Sequence, residues 1–241
     1  MCAEPSAAHN GDMVRGSELA RLAALLADET RSEICLALLD GRAWTARELA
    51  RHAGVAPSTT TEHLNRLVAG GLLTERRQGR HRYVQLAGTA TAELLEHLAS
   101  FTTPEKPTSL RAVTTSAALA RGRTCYDHFA GRLGVAITDA MAAKGLLDKG
   151  NGLSMTSAGL AWLTGDLGVA EADLRATKRP LTRTCLDWTE RRTHLAGAAG
   201  AQICRRFREN AWIRQVGSSR AVRLTPAGEH ALHDLLGIDT W

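Results

Sequence analysis

The sequence predicts a mainly α-helical protein with short β-hairpins, divided into two halves. Apolar residues recur at helical spacing through most of the chain, and alternating polar segments flank glycine turns as they do in β-hairpins. A sequence block in the second half occurs twice. The 241 residues leave room for two ordinary domains, and 44% hydrophobic with 23% charged residues is typical of globular proteins.

Composition and local sequence exclude several classes of protein. No apolar run is long enough to span a bilayer, and no basic segment precedes an apolar leader, so we expect a cytoplasmic protein without a membrane partner. Five cysteines, odd in number and widely spaced, favour reduced thiols over a disulfide framework. Neither a nucleophile elbow nor a glycine-rich phosphate loop is recognisable, so we expect no enzyme activity.

The first half predicts four helices in succession. We expect residues 1–16 to be a disordered, frayed tail, because they are rich in small residues and lack periodicity. Two helices with apolar residues at helical spacing follow up to residue 40. Thr45 and Glu48 form a capping box that starts a short third helix. After a glycine turn, Pro57 begins a fourth helix that ends at paired glycines.

A basic hairpin and a closing helix complete this unit. Residues 72–86 alternate on both sides of Gly79, as in a β-hairpin. An amphipathic helix then ends a unit that spans residues 17–101. The prolines within residues 102–109 predict a linker.

A short helix pair followed by a basic hairpin is the plan of a winged helix-turn-helix, which indicates double-stranded DNA as a partner. The second helix of the pair fits the major groove, and its hydroxyls and imidazole can reach phosphates and base edges. The first helix presents backbone N–H groups to a phosphate, and the hairpin arginines suit the DNA backbone or minor groove. As alternatives, each of these side chains can be a helix cap or a solvated surface residue. The candidate DNA-contacting residues are Thr45, Ser58, Thr59, Thr60, His63, Arg66, Arg76, Arg77, Arg80 and Arg82.

Positive charge is concentrated in two segments. Residues 63–82 hold five arginines against one glutamate, a net charge of +4, and residues 175–223 hold 12 basic against 3 acidic residues, a net charge of +9. Such clusters suit a polyanion, although a solvated surface is the alternative for each. The second segment can extend the DNA footprint through Arg214, Arg220 and Arg223, or receive an anionic effector.

Residues 17–100 resemble the ArsR/SmtB family of bacterial winged-helix repressors. The resemblance is carried by residues 26–34, 45–50, 58–64 and 69–73. It implies a homodimer held by the first and last helices of the unit, an operator with two-fold symmetry, and derepression when an effector binds.

The sequence differs from the family at the positions where many members bind a metal. Many members use a cysteine pair on the first helix of the DNA-binding unit, and residues 45–52 contain no cysteine. Others use acidic and histidine ligands on the last helix. Glu93 and His97 are four residues apart there, but we favour a solvated helix face over a metal site.

The second half, residues 110–241, contains a tandem repeat and is predicted to be the effector or interaction domain. Residues 123–128 return as 183–188 at an offset of 60, and residues 144–159 parallel 210–228, which end at an offset of 69. Each copy, about 120–170 and 180–241, predicts helix, helix, hairpin, helix. We therefore expect two winged-helix-like modules, similar to the C-terminal extension of a long ArsR-type subgroup marked by a Cys-Tyr-Asp-His motif.

The repeated motif is the candidate effector site. If it is helical, Cys125 and His128 share a face, and a two-fold-like arrangement of the copies can bring them together with Cys185 and His194. Thiolates and imidazoles suit a soft metal or metalloid ion, or a redox switch. The alternative is structural, because buried cysteine is a small hydrophobic residue and polar motifs cap helices.

The motif also suggests local ion pairs and a further thiol. Asp127 with Arg123, and Asp187 with Arg183, are four residues apart and predict structural pairs on a helix. Cys204 precedes a basic run, where nearby positive charge can lower the pKa of its thiol.

Three functions are compatible with these features. The favoured one is a dimeric transcriptional repressor released from DNA by an effector, namely a metal or metalloid ion, a small molecule or thiol oxidation. The second is an architectural DNA-binding protein, for which the second half has no obvious use. The third is an enzyme with a cysteine–histidine pair, for which no positioned oxyanion site is recognisable.

Overall fold

The structure is a computed structural model that describes residues 15–102, 110–150, 152–176, 178–217 and 219–239. Most of the predicted tail, and residues 103–109 of the predicted linker, lie outside these residues, so the domain boundaries stay predictions. In the described part of the chain, none of the helices combines the length and the apolar character that crossing a membrane requires.

The N-terminal half surrounds a small antiparallel sheet with helices. The strands run in the order β1–β3–β2. Its elements are α1 (Gly16–Leu26), α2 (Glu29–Ala37), a 3₁₀ turn (Leu38–Asp40), β1 (Trp44–Thr45), α3 (Ala46–Ala53), α4 (Pro57–Ala69), β2 (Leu73–Gln78), β3 (His81–Leu86) and α5 (Thr89–Ser100).

Local sequence signals account for the helix pair α3–α4. The Thr45 hydroxyl accepts a hydrogen bond from the Glu48 amide at 3.3 Å, and the Glu48 carboxylate accepts one from the Thr45 amide at 2.8 Å, which confirms the predicted capping box. Gly54 ends α3 at φ +67°, a conformation that favours glycine. Leu49, Leu64 and Leu67 then pack into the same core.

The C-terminal half consists of two copies with the same order of elements. The first copy is α6 (Leu110–Arg121), β4 (Arg123–Cys125), β5 (His128–Ala130), α7 (Gly131–Ala143), β6 (Leu147–Asp148), β7 (Ser154–Met155) and α8 (Ser157–Thr164). The second copy is α9 (Glu171–Arg175), β8 (Arg183–Leu186), β9 (Thr193–Ala196), α10 (Gly197–Glu209), β10 (Ile213–Gln215), β11 (Val222–Leu224) and α11 (Pro226–Leu236). Each copy therefore adds one hairpin to the predicted helix, helix, hairpin, helix order.

That additional hairpin corrects the expectation of a helical motif at residues 123–128. Strands β4 and β5 pair directly, with Cys125 opposite His128, and the turn is made by Tyr126 at φ +60° and Asp127. The residues of both strands are buried. Because neither face meets water, the segment lacks the polar alternation that identifies a strand in a sequence.

The hairpin also explains the unequal repeat offsets. The cysteines are 60 residues apart, whereas His128 and His194, which face them across the hairpins, are 66 apart. The second hairpin thus has six additional residues between its cysteine and its histidine. The remaining three of the offset of 69 lie in the β10–β11 hairpin. The structural counterpart of His128 is His194, not Trp188.

The two copies share one hydrophobic core. Helix α7 packs on β9 of the second copy, and α10 packs on β5 of the first. Phe129 and Phe207 meet edge to face at 5.3 Å in this core. The tip of the first hairpin also contacts the N-terminal half, because the Tyr126 amide donates to the Leu39 carbonyl at 3.1 Å.

Candidate functional site

The outer face of α4 lies beside α3 and exposes polar side chains. Ser58, Thr59 and Arg66 are exposed, and Arg66 pairs with Glu62 at 2.5 Å. Thr45 is half-buried and its hydroxyl belongs to the cap of α3. The exposed groups can donate and accept hydrogen bonds in a DNA groove.

The expectation that Thr60 and His63 lie on this outer face is wrong. Thr60 is fully buried, and its hydroxyl donates to the Ala56 carbonyl at 3.1 Å. It shares the inward face with Leu64, four residues further along the helix. The His63 side chain is only 13% exposed and lies 3.7 Å from Asp28 at the start of α2.

The β2–β3 hairpin presents arginines next to α4. Arg76, Arg77 and Arg80 are exposed near the hairpin turn. Arg82 differs from them, because it pairs with Glu75 and donates to Asn65 of α4 at 2.8 Å. Arg82 therefore holds the hairpin against the helix instead of facing solvent.

Six of the twelve basic residues in 175–223 pair with acidic residues from elsewhere in the described part of the chain. Arg192 pairs with Asp139 at 2.6 Å, Arg183 pairs with Glu93, and Arg220 pairs with Glu96. The last pair is buried, so Arg220 does not extend a DNA surface, whereas Arg214 and Arg223 are exposed. Charge counted along the sequence overstated the basic character of this half.

The structure brings the four predicted effector-site residues together. Cys125 and His128 face each other across the first hairpin, Cys185 and His194 do so across the second, and strands β5 and β9 are in contact. One side-chain donor atom from each residue lies within 4.8 Å of the others. The two Sγ atoms are 3.9 Å apart and the imidazole rings stack at 5.1 Å. We call these four residues the cysteine–histidine cluster.

Two glycines make this approach of the copies possible. A Cβ atom at Gly134 of α7 would lie 2.4 Å from the Phe129 carbonyl oxygen and 3.6 Å from the His194 Cβ. At Gly200 of α10, the equivalent atom would lie 2.6 Å from the Leu195 oxygen and 3.3 Å from the His128 Cβ. Each helix thus approaches its own hairpin closely and lies against the histidine of the other copy.

The cluster is buried and contains unsatisfied ring nitrogens. His128 Nδ1 lies 3.2 Å from the Asp127 carboxylate, which also binds Arg179. In the described part of the chain, no group outside the cluster hydrogen bonds to His128 Nε2 or to either ring nitrogen of His194. Buried polar atoms without hydrogen-bond partners are costly, so these nitrogens are candidate ligand atoms for a bound group.

The electrostatics of the cluster favour a thiolate. The hydrogen bond between the two cysteines, together with the neighbouring imidazoles, lowers the pKa of Cys185, while the same bond and burial raise the pKa of Cys125. Burial lowers the pKa of His128, but its contacts with Asp127 and Cys185 outweigh burial and raise it to about 9. Cys204 is no third reactive thiol, because burial raises its pKa to about 12.

The predicted ion pairs within each motif are also wrong. Because the motifs form hairpins, residues four apart do not share a face. Arg123 instead donates to Asp187 of the other copy at 3.0 Å, and Asp127 binds Arg179. The pairs therefore connect the copies.

A buried ionic network, missed in the sequence, joins the cluster region to α5. Arg123 is fully buried, lies 4.7 Å from the Trp188 ring and 3.9 Å from Glu96, and Glu96 also binds Arg220. Glu96 lies on the apolar side of α5 with Ala92 and Leu95. A glutamate on the apolar side of an amphipathic helix is the sequence signal for this network, because a buried carboxylate requires a partner.

Comparison with known proteins identifies relatives over both halves. A family model described as a helix-turn-helix domain matches residues 26–76. The HTH-type transcriptional regulator YdfF of Bacillus subtilis is 37% identical over 221 residues, which are 91% of this chain and 97% of YdfF. The HTH-type transcriptional regulator CmtR of Mycobacterium tuberculosis is 40% identical over 85 residues, 35% of this chain and 71% of CmtR.

Similar solved structures cover about a third of this chain. The cadmium metal-sensor CmtR from Mycobacterium tuberculosis is 34% identical, with a TM-score of 0.30 over 38% of this chain and 99% of that one. A homodimeric winged helix-turn-helix domain from Mycobacterium bovis, described as a possible ArsR-family regulator, is 30% identical, with a TM-score of 0.32 over 34% and 75% of the two chains.

The relationship with YdfF extends over nearly the whole chain. The helix pair and basic hairpin of the N-terminal half agree with the helix-turn-helix family match. The chain belongs to the family of helix-turn-helix (HTH-type) transcriptional regulators.

Proposed function

We propose that the chain is a homodimeric repressor that binds a two-fold symmetric operator and leaves it when an effector binds the C-terminal half. The observation that carries the DNA surface is the contact between Arg82 and Asn65. It holds the exposed arginines of the wing beside the exposed face of α4, so that helix and wing form one surface. Binding an operator also agrees with the predicted cytoplasmic location.

Exposed apolar residues on α1 and α5 support the dimer. Helix α1 buries none of its residues, and Leu19 is 61% exposed. On α5 and just beyond it, Leu98 and Phe101 are 46% and 86% exposed, whereas Glu93 and Glu96 of the same helix bind the C-terminal half. Apolar side chains of this size on one unit favour a protein partner, and a second copy is the occupant that we propose.

The contacts between the halves support a signal from the C-terminal half. The buried pair of Arg220 and Glu96, and the hydrogen bond from Tyr126 to Leu39, connect the cluster region to α5 and to the turn after α2. A change in the packing of the hairpins therefore alters contacts with both elements. Candidate effectors are a metal or metalloid ion, a small molecule and thiol oxidation.

We also propose that each C-terminal copy is a winged-helix-like module without a DNA-reading role. In both copies a helix is followed by a short hairpin and a capped helix, with Thr156 and Thr225 as the N-caps. The helices before these hairpins lack the run of exposed hydroxyls found on α4. The relatives named as transcriptional regulators support the expectation that the chain is not an enzyme.

Selection from random DNA duplexes tests the proposed function. We expect inverted repeats with half-site centres about 10 bp apart, each duplex bound by two chains. The double variant Ser58→Ala and Thr59→Ala should weaken discrimination against the wrong base by about 5- to 150-fold per lost contact. The readout is the affinity for selected and scrambled duplexes.

A matched control for this experiment is Thr61→Ala. Thr61 is exposed on the same helix, but its hydroxyl donates to the Pro57 carbonyl at 2.8 Å, so base preference should not change. A selection that returns no common sequence would contradict the repressor and favour the architectural DNA-binding protein.

A further inference from the structure

We propose that Cys125, His128, Cys185 and His194 form a closed tetrahedral site for a soft divalent cation of the zinc group. The geometry and chemistry of the cluster support this site independently of the proposed function. Only the role of this metal site as the effector site rests on the proposed function.

The distances within the cluster fit one ion bound to all four residues. Two thiolates that each lie about 2.3 Å from a tetrahedral ion are about 3.8 Å apart. The observed separation between the two Sγ atoms is 3.9 Å, whereas a disulfide would need about 2.05 Å. The two imidazole nitrogens lie within 4.8 Å of both sulfurs, so no large movement is needed to surround an ion.

The rings are held as metal-binding histidines usually are. The Asp127 carboxylate binds His128 Nδ1, which leaves Nε2 for the cluster, and Arg179 in turn binds Asp127. A carboxylate behind a ligating histidine fixes its orientation and increases its basicity. His194 Nδ1 lies 3.9 Å from the Asp187 carboxylate. An ion would satisfy His128 Nε2 and one ring nitrogen of His194, atoms to which no group outside the cluster hydrogen bonds.

The chemistry of the donors selects the class of cation. Two thiolates neutralise a divalent ion, so the filled site carries no net charge into the buried interior. Magnesium and calcium prefer oxygen ligands, whereas two sulfurs and two imidazoles in a tetrahedron are typical of zinc. Four protein ligands leave no open position for a substrate, which indicates a structural or sensing site.

The site exists only through the duplication. Each copy supplies one cysteine and one histidine, and neither copy completes a tetrahedron alone. A bound ion would therefore fasten the two hairpins to each other. Because Tyr126 at the tip of the first hairpin contacts Leu39, this fastening reaches the N-terminal half directly.

Titration of the reduced, chelator-treated full chain with Co²⁺ under anaerobic conditions tests the site. We expect one Co²⁺ per chain, a thiolate charge-transfer band and the intense visible bands of tetrahedral cobalt, all removed by added Zn²⁺. Cys125→Ala and Cys185→Ala should abolish these bands. Cys204→Ala, a buried cysteine outside the cluster, should leave them unchanged.

Two further variants keep the test decisive. His194→Gln should lose the tetrahedral spectrum even where a cysteine variant fails to fold. Asp127→Asn should retain the spectrum but bind Zn²⁺ about 10- to 100-fold more weakly, because Asp127 positions a ligand without touching the ion.

Some results would overturn the metal site. These are cobalt binding without tetrahedral bands, stoichiometric binding that survives Cys125→Ala, or an air-purified chain whose intact mass shows loss of the two thiol hydrogens and which binds no metal after reduction. The last result would assign a redox pair. The titration contains no DNA, so its failure leaves the operator experiment standing, and failure of the operator experiment leaves the metal site standing.

Discussion

Replacing Arg77 and Arg80 together by alanine should weaken operator binding about 10- to 100-fold at about 0.1 M salt. It should also reduce the slope of log Kd against log salt by about 2, because each contact with a phosphate releases roughly one counterion. Selected and scrambled duplexes should lose affinity to a similar extent, since phosphate contacts carry no base information. Fluorescence anisotropy over a series of salt concentrations measures both quantities.

The control is a pair of exposed cations in the C-terminal half. Lys149 pairs with Asp139 and Arg175 with Glu171, and all of these side chains are substantially exposed. The double variant Lys149→Ala and Arg175→Ala removes the same net charge away from the wing. Equal losses in the two double variants would mean that total charge, and not the wing, controls binding.

Replacing Arg123 by alanine should produce the largest loss of stability, about 3–5 kcal/mol in the free energy of unfolding. Arg123 is fully buried and binds Asp187, with Glu96 nearby. Removing the guanidinium leaves the buried Asp187 carboxylate without its cation and removes the cation–π contact with Trp188. Denaturant unfolding monitored by circular dichroism measures the difference.

Two comparison variants test whether the buried ion pair causes the loss of stability in Arg123→Ala. Arg175→Ala removes an exposed pair with Glu171 and should cost less than about 1 kcal/mol. The double variant Arg123→Met and Asp187→Asn should recover part of the stability, because it removes both charges of the pair. A loss for Arg123→Ala no greater than that for Arg175→Ala would contradict the buried network.

Local chemistry made the N-terminal half predictable. The capping box at Thr45 and Glu48, the glycine turn and the proline at the start of α4 act within a few residues. The burial of Thr60 was also readable from its spacing to Leu64, but a hydroxyl on a short helix was interpreted as a DNA contact. Exposed hydroxyls and buried ones have the same local sequence signature.

The C-terminal half was less predictable because its decisive contacts are distant in sequence. Arg123 and Asp187 are 64 residues apart, and Arg220 and Glu96 are 124 apart. No local pattern reports such pairs, and counting charges by segment assigned Arg220 to a surface. The repeat predicts the convergence of Cys125 with Cys185, but not the hairpins that achieve it, the first of which is buried on both faces.

We propose that the cysteine–histidine cluster of the C-terminal half controls DNA binding by the N-terminal half. Operator affinity of the chelated and the Zn²⁺-loaded chain, measured by anisotropy at one salt concentration, tests it most directly. The loaded chain should bind about 5- to 150-fold more weakly. Cys185→Ala and His194→Gln should bind with the affinity of the chelated chain in both conditions. Equal affinities of the wild-type chain with the site filled and empty would contradict the claim.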